Sequence, residues 1–123
     1  MSKTFFKKLN ERPFNAILAG KKTVEIRANE NIFSENSINL LEEGDVIIFE
    51  KVQSNDGLSC IVERKTLYQT VRELLETEGT EHSLSSTKDI DEGISSVESI
   101  SDYKELISKN GVFAIKIRDV RKI

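Results

Sequence analysis

Eight consecutive residues carry most of the chemistry legible in this chain: Gly20-Lys21-Lys22-Thr23-Val24-Glu25-Ile26-Arg27. The glycine closes a helix-like stretch, and two lysines follow it. From Thr23 to Arg27 polar and apolar residues alternate strictly. That is the pattern of a strand with Thr23, Glu25 and Arg27 on one face and Val24 and Ile26 on the other. Side chains two apart on one strand face stand about 7 Å from each other, close to the spacing of neighbouring phosphates or of a base and its sugar. On such a face Arg27 can fork two hydrogen bonds to a phosphate or a carbonyl edge. Glu25 can hold Arg27 in place or accept from an amino group on a base. Lys21 and Lys22 are natural phosphate partners. Lys22, if desolvated beside the glycine turn, would also lose its proton more readily than a free lysine and act as a base. The plain alternative is an exposed strand bearing ordinary ion pairs.

Other reactive residue types read as structural. Cys60 and His82 are the only cysteine and histidine, so an internal disulfide, an all-cysteine metal site and a Cys/His zinc cluster are excluded. Cys60 alternates with apolar neighbours and reads as a small core residue. His82, Ser83, Ser85 and Ser86 fall in a stretch rich in Ser, Thr and Gly and read as loop. Tyr68 and Tyr103 read as core or rim, with base stacking open to either one if exposed.

These groups must be positioned by short elements. Residues 4–9 read as a first strand. Residues 10–20 read as a short helix, with Asn10 as cap, Pro13 in its first turn, Phe14, Ile17 and Leu18 on one face and Gly20 as the stop. Residues 28–43 read as a polar loop anchored by Ile38, Leu40 and Leu41. Strands follow at 46–52 and 58–67 around an Asp56-Gly57 hairpin turn. A helix over 70–78 starts with a capping box, Thr70 with Glu73, and buries Val71, Leu74 and Leu75. Residues 79–96 read as a mobile loop and 97–109 as one helix with Ile100, Tyr103, Leu106 and Ile107 inward. Asn110-Gly111 ends it, and 112–118 form the last strand, with Phe113, Ile115 and Ile117 toward the core. Five or six strands with two or three short helices, and no βαβ rhythm, predict an α+β fold. Its expected form is a small mixed or antiparallel β-barrel with short helices covering its ends.

The chain of 123 residues has the size of one domain, 1–123. Its longest apolar run, Val46 to Phe49, is too short to span a membrane, and the first ten residues lack a secretory pattern, so the expected compartment is the cytoplasm. The net charge is −3, but residues 1–27 carry +5 and residues 106–123 carry +4, against −5 and −7 in the two middle segments. If the ends meet in the fold, one face becomes basic and suits an anionic ligand.

Four stretches of residues then resemble a known family. Phe14-x-x-Ile17-x-x-Gly20-x-Lys22-Thr23-x-Glu25-x-Arg27 and Gly44-Asp45-x-Ile47-x-Phe49 look like the signature of the ASCH domain, which is similar to PUA domains and shares their PUA-like barrel. Tyr68-x-x-Val71-x-x-Leu74-Leu75 resembles the family's helix after the barrel hairpin, and Gly111-Val112-x-Ala114-Ile115-x-Ile117 resembles its closing strand. The resemblance implies RNA or nucleotide binding in a cleft beside the 22–27 strand, through Lys21, Lys22, Thr23, Glu25 and Arg27. It implies no cofactor and no membrane partner, and a monomer is the favoured state. One bacterial branch of small ASCH proteins hydrolyses N4-acetylcytidine with a lysine, a threonine nucleophile and a glutamate on the helix after the hairpin. Carried across, the lysine falls on Lys22 and the threonine position on Glu25, a departure. The glutamate falls on Glu78, with Glu76 as the other choice. The expectations are therefore a binding module first and a small amidohydrolase second, the latter with Lys22, Glu25 and Glu78 as catalytic residues and Glu25 activating a water.

Overall fold

The computed structural model describes residues 2–123. The elements run β1 (Thr4–Leu9), α1 (Glu11–Leu18), β2 (Val24–Ala28), a 3-10 turn (Ile38–Leu40), β3 (Val46–Lys51), β4 (Gly57–Tyr68), α2 (Val71–Glu78), α3 (Thr80–Ser83), α4 (Ile90–Glu98), α5 (Tyr103–Asn110) and β5 (Val112–Lys122). One sheet takes all five strands in the order β1-β3-β4-β5-β2. β1 pairs with β3 in parallel, and every other pairing is antiparallel. The sheet curls into a half-barrel that leaves β1 and β2 as its two edges.

Strict alternation along β5 shows how both sheet faces are filled. Phe113, Ile115 and Ile117 join one apolar cluster with Phe5, Ile47, Phe49, Leu58, Cys60 and Val62, into which α1 inserts Phe14 and Ile17. Val112 and Ala114 point the other way and join Val24, Ile26 and Ala28 under α2, α4 and α5. The helix at 10–20 ends as its residues dictate, with Gly20 at φ +78°. Leu18 is 37 % exposed rather than buried with its neighbours. Half of the expected capping box on α2 forms: Glu73 donates its N–H to Thr70 Oγ1 at 3.1 Å, while its carboxylate accepts from the Gln69 N–H at 3.4 Å, one residue before the cap. Ile38 and Leu41 anchor the 28–43 segment in the core.

The largest departure from expectation is at 79–109. The expected loop contains α3 and α4, and the expected single helix is broken. Ser and acidic residues hide the periodicity of α4, but Ile90, Gly93, Ile94 and Val97 line one face against the second cluster. Asp89 caps it by accepting from the Glu92 N–H at 3.1 Å. The break falls at Ser99 to Asp102, where Asp102 takes φ +66° and starts α5 afresh. Ile100 consequently points outward, 49 % exposed, while Ile107 is buried.

Polar side chains secure the exposed edges. Asn36 accepts from the Phe6 N–H at 2.8 Å and donates to the Phe6 carbonyl at 3.0 Å, taking both main-chain groups that β1 presents there. Asn29 and Asn110 exchange side-chain bonds to each other's carbonyls at 3.0 Å, which ties the end of β2 to the end of α5. Among the described residues no helix is long and apolar enough to cross a membrane.

Gly111 closes α5 at φ +88°, and a Cβ there would stand 2.6 Å from the Tyr68 carbonyl oxygen. Both the backbone angle and the contact forbid a side chain. Gly111→Ala is expected to lower stability by about 3 kcal/mol, read as a shift of the urea midpoint with an unchanged slope.

Candidate functional site

The stop of α1 delivers Lys22 to its place. The Ala16 carbonyl accepts from both the Lys21 N–H at 3.0 Å and the Lys22 N–H at 3.1 Å, so the chain turns sharply before β2 begins. Lys21 is left exposed and Lys22 is buried. Its Nζ donates to the Ser83 carbonyl at 2.5 Å and lies 3.6 Å from Glu25 Oε1. Next along, Thr23 donates its N–H to the His82 carbonyl at 2.9 Å. α3 is thus docked on the start of β2 by two bonds.

Glu25 is the centre of the arrangement and is 5 % exposed. Its Oε1 faces Lys22 and accepts from the Ile26 N–H at 3.3 Å. Its Oε2 accepts from Arg27 Nε at 3.0 Å, with Nη2 also at 3.0 Å. Arg27 Nη2 in turn donates to the Lys8 carbonyl at 3.1 Å, across the seam between β2 and β1. Glu25, on the polar face of the strand, is therefore buried between two cations, Lys22 just before β2 and the half-buried Arg27, and does not face solvent. Burial drives the Lys22 pKa down, and the attraction of Glu25 only partly opposes it. Burial also acts to lower Arg27, but the Glu25 carboxylate outweighs it and holds the guanidinium above its usual value.

Lys22, Glu25 and Arg27 sit in the wall of a cleft of about 690 Å³. Its apolar wall includes Ile26, Leu84, Val97, Ile100 and Tyr103, and its rim carries Lys8 and Arg12. Burial raises the Tyr103 hydroxyl pKa above its normal value. Every cation in the cleft wall comes from the first 27 residues. β2 and β5 do pair, so the two basic ends meet, but Lys116 is engaged by Glu63 at 3.2 Å and Arg118 by Asp119 at 2.7 Å, outside the cleft.

The other sequence candidates lie elsewhere. Thr23 is half-buried and Lys21 exposed, and neither lines the cleft. Glu78 is away from it too: its carboxylate takes both Arg64 Nη atoms, at 2.8 and 2.5 Å, and the Tyr68 hydroxyl at 2.5 Å. Those bonds, Arg64 first, hold the Glu78 carboxyl below its usual pKa. Glu76 is exposed on α2. Ser83, read from the sequence as loop, lines the cleft and is fully buried. No spacing rule pointed to it, because its position depends on α3 docking against β2. Tyr103 and Ile100 reach the cleft through the break before α5; the Ser101-Asp102 pair was the available signal for that break.

A curled sheet of this order, with a helix in its hollow and a cleft at its open seam, defines a PUA-like half-barrel. The chain belongs to the ASCH domain family, which it matches over residues 8–121. The hypothetical protein PH0355 is similar in structure, with a TM-score of 0.77 and 32 % identity over 94 % of this chain and 97 % of that one. Protein PF0455 from Pyrococcus furiosus is similar at a TM-score of 0.71 and 33 % identity, over 94 % of this chain and 96 % of its own. The ASCH protein from Zymomonas mobilis shares the fold at 19 % identity and a TM-score of 0.60, over 98 % of this chain and 70 % of that one. No curated protein matches the chain.

The buried amine gives a pH signature. Below its lowered folded pKa, Lys22 is charged in both states and its desolvation opposes folding in full. Between that pKa and the ordinary lysine value of 10.5 the unfolded chain binds the extra proton, so stability rises with pH. Above 10.5 both states are neutral. The stability of the native chain minus that of Lys22→Met is expected to rise as pH climbs through that window. Parallel urea titrations of the two proteins check the sign.

Proposed function

We propose that the cleft binds a nucleotide, free or within a single-stranded RNA. One observation carries the reading: the Lys22–Glu25–Arg27 run, with Lys22 and Glu25 buried and Arg27 half-buried, lines a half-open cleft with a surplus of cations, in a chain whose net charge is −3. About 690 Å³ is a small-molecule volume, not a bed for a duplex. Lys8 and Arg12 at the rim take the phosphate. Arg27 and Glu25 read a base or sugar edge, and Tyr103 with Ile100 forms an apolar wall for the base. The family membership supports the same direction. Lys21 and Thr23 contribute at most from outside the cleft wall, Lys21 as a neighbouring charge.

Calorimetry with cytidine 5′-monophosphate and a short single-stranded RNA tests this. Affinity is expected to fall between about 50 and 200 mM salt, and Arg12→Ala to reduce the RNA salt slope by about one. Arg27→Ala removes a charge-assisted pair of donors and is expected to weaken binding about tenfold or more. Binding indifferent to both salt and Arg27→Ala excludes the reading.

A second reading is favoured by the buried amine beside a carboxylate. In it the same cleft hydrolyses an acylated nucleoside such as N4-acetylcytidine, with Lys22 and Glu25 handling the proton and the carbonyl. The Arg64-bound Glu78 has no part in this version of the chemistry. Acetate release from N4-acetylcytidine is expected, and is expected to vanish in Lys22→Ala. No release at high protein concentration removes acetylcytidine as a substrate.

A further inference from the structure

A desolvated wall sorts ligands by which of their atoms donate and which accept, because a mispaired polar group there has no water to turn to. Lys22, Glu25 and Arg27 line the cleft with fixed roles. An arginine side chain only donates, and an ionised carboxylate only accepts. Burial lowers the Lys22 pKa, but ammonium and amine alike carry N–H groups to donate.

The two cations stand at opposite oxygens of one carboxylate. Lys22 Nζ is 3.6 Å from Glu25 Oε1, and Arg27 Nη2 is 3.0 Å from Oε2. Each of the three keeps capacity to spare. Oε1 holds only the Ile26 N–H at 3.3 Å besides the distant amine, both longer than a good N–H to oxygen bond. Lys22 Nζ has one close acceptor, the Ser83 carbonyl at 2.5 Å. Arg27 commits Nε and Nη2 to Glu25 and the Lys8 carbonyl, while Nη1 has no acceptor among the described residues. In order along the wall, the spare capacity is donor, acceptor, donor.

A phosphate does not suit that order, since the carboxylate at its centre repels an anion. Lys8 and Arg12, exposed at the rim, are the better phosphate partners. The base then points inward, and its edge must read acceptor, donor, acceptor. Among the common RNA bases uracil alone carries that edge, as a carbonyl, an N–H and a second carbonyl. Cytosine and adenine would set an amino group against a cation and a bare ring nitrogen against the carboxylate. Guanine matches the first two positions and sets an amino group against the third. Glu11 also lines the cleft, but it is exposed beside Arg12, where a mispaired group stays hydrated.

We infer that the cleft selects uridine nucleotides, with Lys22, Glu25 and Arg27 reading the imide edge of uracil. This rests on the nucleotide reading of the cleft and adds the identity of the base.

Calorimetry on the full chain with uridine, cytidine and N3-methyluridine 5′-monophosphates tests it. The uridine compound is expected to bind about ten- to a hundredfold tighter than either of the others. The methylated compound keeps both carbonyls and loses the N–H that Glu25 accepts. In Glu25→Gln, whose amide both donates and accepts, the preference for uridine over cytidine is expected to collapse. Equal affinity for the uridine and cytidine compounds overturns the inference and leaves nucleotide binding intact. So does full affinity for the methylated compound, measured on the native chain and therefore independent of how Glu25→Gln folds. An unchanged preference in folded Glu25→Gln also overturns it. Absence of binding by all three compounds overturns the nucleotide reading and this inference together.

Discussion

A buried lysine and a buried glutamate, with a half-buried arginine beside them, set the conditions for the rest of this structure. A buried ion costs several kcal/mol unless partners replace its hydration. Glu25 satisfies two cations at once, yet neither cation is complete with Glu25 alone. Lys22 takes the Ser83 carbonyl and Arg27 takes the Lys8 carbonyl. Each of those acceptors belongs to a different element, so the need to solvate β2's side chains fastens α3 on one side and β1 on the other. The seam where the half-barrel fails to close is held by this polar run, not by a sheet ladder. The wall of the candidate cleft and the structural clasp share the same residues.

That double duty shapes the electrostatics. A chain acidic overall still concentrates cations at one opening, because Lys8, Arg12, Lys22 and Arg27 arrive there from adjoining elements near the N-terminus. No cation of the basic C-terminal segment lines the cleft, and its Lys116 and Arg118 are paired locally. Charge counts along the chain marked both ends as basic, and only the cations of the first 27 residues line the cleft.

Much of the architecture was legible because it rests on local rules. Alternation marked 23–27 and 112–118, Gly20 marked the helix stop, and Thr70 with Glu73 marked the capping box. The misreadings share a cause: they depend on contacts distant in sequence. Serines and acids around Ile90, Ile94 and Val97 imitate a loop until α2 supplies a surface to bury them. The burial of Glu25 and Lys22 could not be read from a two-residue period, which gives only the face and not what covers it. Ser83 carried no pattern at all. Glu78 was placed by its position near a helix end, but Arg64 and Tyr68, which engage it, lie on β4, 14 and 10 residues away.

The Asn36 amide has an effect beyond its own loop. Phe6 is 60 % exposed, and its main-chain N–H and carbonyl would otherwise lie open along the rim of the sheet. An uncovered strand with an aromatic beside it is a template onto which another chain can add. A single carboxamide, offering one acceptor and one donor, imitates a neighbouring strand for one residue and occupies the template. Self-association into extended sheets is thereby discouraged at the cost of two hydrogen bonds from a surface loop, and the molecule keeps a bare phenyl ring on its flank without inviting polymerisation.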